Sequence, residues 1–337
     1  MTEQSWAQLS NLAVYSAMAV YAVALVAFVA DLALRGGRLP AAATAEATAR
    51  ELVGAGAPAT GGQTVDPAPT AAADADALRR ADRLRGSAIS LTWLAAGLHL
   101  AGVVARAAAA HRPPWGNMYE FSVAGAVVVS GVFLVVATRR DLRYLGTFVV
   151  GPVLLTLGLA VTVFYTKAGQ LVPALHSYWL GIHVSVAFIA SALLTLGFSA
   201  TVLQLVQQRR EVAQAAGTTT GPLFGRLGRF MDGLPASSTL ELTGYRMHVA
   251  AFPLWGFTLV AGAIWAEGAW GRYWNWDPKE VWTFVIWVVY AAYLHARATR
   301  GWDGRRASML ALLGYGCLLF NFLVVNIWFV GKHSYGR

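Results

Sequence analysis

Six of the thirteen tryptophans, together with the seven histidines, are the residues of this chain whose types and spacing could do chemistry. The six fall between Trp265 and Trp287, in the stretch W-A-E-G-A-W-G-R-Y-W-N-W-D-P-K-E-V-W followed by further apolar residues. A dense aromatic shelf suits a flat aromatic ligand, because indole faces stack on extended π systems. The histidines are His99, His111, His176, His183, His248, His295 and His333, and they lie on both sides of that shelf in sequence. Neutral imidazole is a standard axial ligand of haem iron, so the two residue types together point to haem. The single cysteine, Cys317, and the lack of any C-x-x-C exclude a thioredoxin-type redox pair and a c-type attachment site in the chain itself. The ligand expected is therefore haem b, held non-covalently. Interfacial tryptophan is common without any ligand, and a lone intramembrane histidine often only bonds a neighbouring helix. The density of the cluster is what favours a ligand site.

Local chemistry around the cluster is specific. Asp277 is a good N-cap, Pro278 fits the first helical position, and Glu280 falls where it would complete a capping box. A helix should start near Pro278. Its N-terminal dipole would favour an anionic group such as a haem propionate, with Lys279 and Arg272 adding positive charge. Trp270 and Trp274 are four residues apart and would share a face if that stretch were helical. Gly268 and Gly271 leave room for close approach.

These groups must be positioned by membrane helices. Hydrophobic residues make up 57% of the chain and charged residues only 13%, against about 25% charged in soluble domains. Eight apolar stretches reach the length needed to cross a bilayer, at about 11–34, 87–108, 119–138, 143–164, 178–206, 246–266, 280–298 and 306–330. The fold class expected is all-α: a polytopic membrane protein of about eight transmembrane helices with an external tryptophan-rich loop. No ten-residue alternation argues for a barrel, no internal repeat is evident, and no glycine pattern marks a nucleotide site. The domains expected are a first transmembrane helix (1–35), retained rather than cleaved, a flexible cytoplasmic linker (36–86, Ala-, Pro- and Gly-rich to residue 78), and a haem-handling domain (87–337) whose tryptophan loop spans 265–282. Residues 207–244 form a second cytoplasmic connection.

Charge sets the orientation. All but seven of the 26 basic residues fall in one set of loops; the seven are Arg106, Arg112, Lys167, Arg272, Lys279, Lys332 and Arg337. The positive-inside rule places the arginine-rich loops in the cytoplasm, so both termini and the tryptophan loop face outward. This distribution accounts for the net charge of +9 without any nucleic acid. On that topology His176, His183 and His333 lie at the outer face, level with the tryptophan loop, and His111 lies in another outer loop. His295 sits near the inner end of the seventh span, about 26 Å from Pro278 along a helix. It is too distant to serve the same ligand and would define a second, inner site.

W-G-R-Y-W-N-W-D-P-K-E-V-W, from Trp270 to Trp282, resembles the tryptophan-rich WWD signature of haem-handling proteins in cytochrome c maturation. Within that group the chain is most similar to the CcsA/ResC family of System II. W-G-N-M-Y-E (Trp115–Glu120), preceded by His111, resembles the family's S-N-x-Y-E loop. L-H-S-Y-W-L-G-I-H-V (Leu175–Val184) and G-K-H-S-Y-G (Gly331–Gly336) resemble the segments carrying the two outer haem ligands, and Y-L-H-A-R (Tyr293–Arg297) resembles the segment with the transmembrane histidine. The resemblance runs from about residue 87 to the C-terminus. Residues 36–78 have no counterpart, and His248 stands where an apolar residue is expected.

The resemblance implies a set of roles. His183 and His333 would be axial ligands to haem iron at the outer site, and His295 would be a ligand at the inner site, with a second histidine from a CcsB/ResB-type partner or from His99. Trp270, Gly271, Tyr273, Trp274, Trp276, Asp277, Pro278, Lys279, Glu280 and Trp282 would form the platform beneath the ring. The protein would carry haem across the cytoplasmic membrane and present it to the C-x-x-C-H motif of apocytochrome c, as part of a thioether-forming lyase, with a thioredoxin-like protein keeping the thiols reduced. No acid–base residue for that step stands out; positioning is the expected contribution. Two alternatives differ in class: a haem carrier or exporter without synthase activity, and a b-type electron-transfer protein that keeps its haems. Ligands at span ends beside an open platform fit release better than retention.

Overall fold

The computed structural model describes residues 2–36, 69–167, 177–217 and 230–333. Eight helices long and apolar enough to cross a membrane account for most of them: α1 (Glu3–Arg35), α2 (Pro69–Ala110), α3 (Met118–Arg139), α4 (Gly146–Thr162), α5 (Tyr178–Ala215), α6 (Ser237–Trp270), α7 (Pro278–Arg300) and α8 (Gly304–Leu319). A 3₁₀ turn, Arg143–Leu145, leads into α4. The last helix runs on through a π-helical turn, Phe320–Val325, and a final α-turn, Asn326–Trp328. The protein is a multi-pass membrane protein of all-α class, with one helix for each expected span.

Side-chain caps explain several starts. Thr2 accepts from the Ser5 backbone, Asn117 from the Glu120 backbone, and Ser177 from the Trp179 backbone. Gly271 and Gly301 close α6 and α7 with φ of 70° and 59°, a region that costs glycine little. In α4, Pro152 removes the donor that would reach the Phe148 carbonyl. Ser199 of α5 supplies the missing hydrogen bond at 3.1 Å, so the Phe148 carbonyl is not orphaned in the apolar layer.

Helices α1 and α2 lie along one another, as do α5 and α6. One core joins the first pair to α3 and α4 around Tyr21, Phe28, Phe133 and Leu157. A second core joins α5 and α6 to α7 and α8 around Trp255, Ile286, Tyr290 and Tyr315. A third, smaller cluster lies at the tryptophan-loop end and holds Leu180, Val184, Phe188 and Trp265.

The chief departure is at α2. It begins at Pro69, so its first turns occupy the end of the stretch expected as linker (36–86). Ion pairs explain the extension. Asp31 of α1 is buried and accepts from Arg35 at 2.7 Å and from Arg85 of α2 at 2.8 Å, while Asp82 of α2 accepts from Arg35. Two helices so tied by charge continue past the apolar layer together. The rest of the expected linker, residues 37–68, lies outside the described residues.

Candidate functional site

The capping box predicted from sequence is present. Asp277 accepts from the Lys279 backbone at 3.0 Å, and Glu280 accepts from the Asp277 backbone at 3.1 Å. Glu280 also accepts from the Asn275 backbone and from Arg272 at 2.8 Å each. Arg272 in turn lies over the Trp270 ring, 5.3 Å from its centroid. Four residues of the tryptophan loop are thus tied to the first turn of α7.

The loop is not a flat shelf. Helix α6 ends at Trp270, so Trp270 and Trp274 do not share a helical face. Trp265 and Trp270 meet edge to face at 4.7 Å, and Trp274 and Trp276 do so at 5.7 Å. Trp276 has φ of 60°, a left-handed conformation rare for a bulky side chain, and stands 76% exposed. Trp282 packs on Phe320 of the π-turn at 4.2 Å.

A cavity of about 340 Å³ opens beneath this loop. Helices α3, α4, α5, α6 and α8 and the start of α7 wall it. His183 and His333 both line it, with Trp265, Tyr273, Trp274 and Lys279. The His183 ring donates from Nδ1 to the Thr258 carbonyl at 2.9 Å and lies nearly parallel to Trp265. Gly262 makes that ring position possible, because a Cβ there would come within 2.8 Å of the imidazole. His333 donates from Nδ1 to Asp277 at 2.9 Å and meets Trp265 and Trp270 edge on, at 5.5 and 5.1 Å. In both rings Nδ1 is committed to an acceptor, so the neutral form of each ring presents its Nε2 lone pair to a ligand. Fixing the tautomer from the far nitrogen is how metal-binding histidines are generally prepared.

Burial pushes the Asp277 carboxyl up. The His333 hydrogen bond and charge, with the Lys332 and Lys279 backbone donors, outweigh it and bring the carboxyl to about 2. Lys279 turns its ammonium to the Asn321 carbonyl at 3.1 Å and to Asn326 Oδ1 at 2.9 Å. No carboxylate pairs with it among the described residues. Asn321 is buried, and its Oδ1 has no partner among the described residues. The cavity therefore offers two imidazole nitrogens, aromatic walls and a buried lysine amine, a donor set that fits haem and its propionates.

The loop before α3 forms another wall. Glu120 is fully buried and accepts from Arg106 at 3.0 Å, from Arg112 at 2.7 Å and from the Gly116 backbone at 2.9 Å. This cluster sets Trp115 against Gly181 of α5, at the cavity edge.

Other sequence-selected residues stand apart. Asp277 and Pro278 line a small recess under Gly331 and His333 rather than the main cavity. Gly271, Trp276 and Trp282 do not line the main cavity. His295 is exposed on α7, toward the arginine-rich end. His111 is exposed, with φ of 53°, and sits 3.4 Å from Glu3. His99 and His248 are fully buried away from the cavity, His99 against Tyr21 and His248 against Tyr290 and Tyr293, and neither ring nitrogen of His248 has a hydrogen-bond partner among the described residues. His176 lies outside the described residues. Sequence reasoning missed Thr258, Gly262, Asn321 and Asn326. Thr258 acts through its backbone, which no side-chain pattern reveals, and the two asparagines become partners of Lys279 only through the π-turn.

The chain is similar to several known proteins. Curated relatives include the cytochrome c biogenesis protein CcsA of Synechococcus elongatus, 35% identical in an alignment of 259 residues that covers 66% of this chain and 79% of the relative. CcsA of Porphyra purpurea is 34% identical over 251 residues, covering 66% and 78% of the two chains. Among solved structures, the cytochrome c heme lyase CcmF superposes with a TM-score of 0.57 at 18% identity, over 96% of this chain and 47% of that one. This chain thus spans about half the length of CcmF, and the likeness shows a shared fold. The sequence pattern of the family described as Cytochrome C assembly protein matches residues 115–333, from the wall tryptophan to the last cavity histidine. The chain belongs to the Cytochrome C assembly protein family.

Proposed function

We propose that this protein works in cytochrome c biogenesis by holding haem in the cavity beneath the tryptophan loop and presenting it to apocytochrome c. The observation that carries this reading is the pair His183 and His333, which line one cavity with Nδ1 committed and Nε2 available. Haem is here cargo and substrate. His183 and His333 would take its two axial positions. Two ligands would shield the iron from oxidation until the histidine of the acceptor C-x-x-C-H displaces one. Lys279 would receive a propionate. Each thioether adds a cysteine S–H across a vinyl C=C, sulfur to one carbon and hydrogen to the other, so no net electron transfer occurs. The protein's share of that step is orientation and exclusion of water.

An inner site would involve His295. It is exposed on α7, on a stripe with Phe284, Val288 and Ala292. A stripe of that spacing suits the helix of a second membrane subunit, of CcsB/ResB type, which would bring the other axial ligand. We assign the haem-handling part to residues 87–337, the membrane to the cytoplasmic (plasma) membrane, and the tryptophan loop and both termini to its outer side. A thioredoxin-like protein would keep the acceptor thiols reduced.

The test is the absorption spectrum of the protein co-purified with its ResB-type partner, beside His183→Ala and His333→Ala. Loss of the Soret band in each variant, restored by imidazole, is expected. Unchanged spectra in both would remove these residues as ligands.

A further inference from the structure

Resting on that reading of His333 as an outer ligand, we propose that Asp277 is a positioning residue that latches the C-terminal arm, residues 329–333, and aims the His333 ring before any haem arrives. Residues 329–333 form neither helix nor strand. Two donors of the arm meet one carboxylate: the Lys332 backbone gives to Oδ2 at 2.6 Å, and His333 Nδ1 gives to Oδ1 at 2.9 Å. Hydrogen bonds to an ionised acceptor are about twice as strong as neutral ones. The carboxylate is itself immobile, because the same side chain caps α7 and Glu280 clamps its backbone. The latch and the helix start are one device.

Space enforces the same arrangement. A Cβ on Gly331 would lie inside the Asp277 carboxylate, so only glycine lets the arm pass at this distance. Beyond it, Trp265 and Trp270 hold the His333 ring edge on from two sides. The two cavity histidines are therefore built differently. His183 is aimed from within the helix pair α5 and α6 by a neutral backbone carbonyl, whereas His333 rides on an arm and is aimed by a charged side chain. Asp277 touches no reacting atom; it acts through His333.

The test uses the full chain in nanodiscs without haem, as wild type, Asp277→Asn and Gly331→Ala. Asparagine caps a helix as well as aspartate does, but its amide nitrogen is a donor, so it cannot accept from both Lys332 and His333. Gly331→Ala keeps the carboxylate and lies outside every helix. Hydrogen exchange of the peptide 326–333 should speed up at least tenfold in both variants, while the first turn of α7 in Asp277→Asn keeps its protection. Dithionite-reduced haem should then bind about 10- to 100-fold more weakly, the usual cost of losing such a supporting group. Wild-type exchange of the arm in both variants would overturn the latch. A freed arm with unchanged haem affinity would leave the latch standing and overturn His333 as a ligand.

Discussion

Gly262→Ala sets local helix preference against the site. Gly262 lies inside α6, where alanine is favoured over glycine by about 1 kcal/mol. On propensity alone the variant should be more stable. The new methyl, however, would sit 2.8 Å from His183 Cε1 and 2.9 Å from Nδ1. Ordinary contact requires the ring to retreat by most of an ångström, which lengthens the 2.9 Å bond to Thr258 beyond hydrogen-bonding range. Returning the ring to its ligating position would cost about 1 kcal/mol for that bond and about 1–3 kcal/mol for overpacking. The total of about 2–4 kcal/mol corresponds to roughly 30- to 900-fold in affinity. The assay is titration of the reduced protein with haem, read at the Soret band, beside thermal unfolding of the haem-free form. The expected result is weakened haem binding with undiminished stability, partly rescued by imidazole. Wild-type affinity in Gly262→Ala would refute the claim that the ring position seen here is the one that binds.

Three further outcomes follow from the same geometry. Lys279→Met removes a buried amine that meets only neutral acceptors among the described residues; it should leave stability unchanged or raised and weaken haem binding by about 10- to 150-fold, the worth of a charge-assisted hydrogen bond to a propionate. Haem dimethyl ester, which lacks the carboxylates, should bind wild type and Lys279→Met alike. Glu120→Gln strands Arg106 and Arg112 without their buried counter-charge and should cost about 3–5 kcal/mol, seen as a lower unfolding temperature and earlier proteolysis in 111–117. Trp276→Gly relieves a left-handed tryptophan and should stabilise the haem-free protein by about 1 kcal/mol; a fall in unfolding temperature would mean that the exposed indole holds the loop.

Much of the scaffold was legible because a bilayer converts sequence into length. Each apolar run had to be a helix and had to cross, so eight runs became eight helices. The start of α7 was equally legible, since Asp277, Pro278 and Glu280 form a cap from local contacts alone. What was not legible is tertiary or backbone-mediated. The extension of α2 depends on Asp31 meeting Arg85 across two helices. Trp270 and Trp274 do not share a face, because Gly271 ends α6 between them. His248, out of place in an apolar position, proves to be packed on Tyr290 and Tyr293, with Gly197 yielding the space for its ring. The resemblance to known haem handlers already paired His183 and His333 at one outer site; the cavity that both line is visible only in the fold.

The π-turn at Phe320–Val325 carries a consequence for how this chain can vary. A π-turn holds one residue more than the α-turn it replaces, so its length is a count as well as a shape. Deleting one residue there would restore a regular helix and rotate everything beyond it by about 100°, with a recoil of about 1.5 Å. The Asn321 carbonyl and the Asn326 side chain would no longer meet Lys279 together, and the arm bearing His333 would point elsewhere. Point substitutions in this segment are then a matter of packing, whereas a single-codon insertion or deletion resets the phase of the terminus. Among descendants of this sequence the segment should drift in letters and stay constant in length.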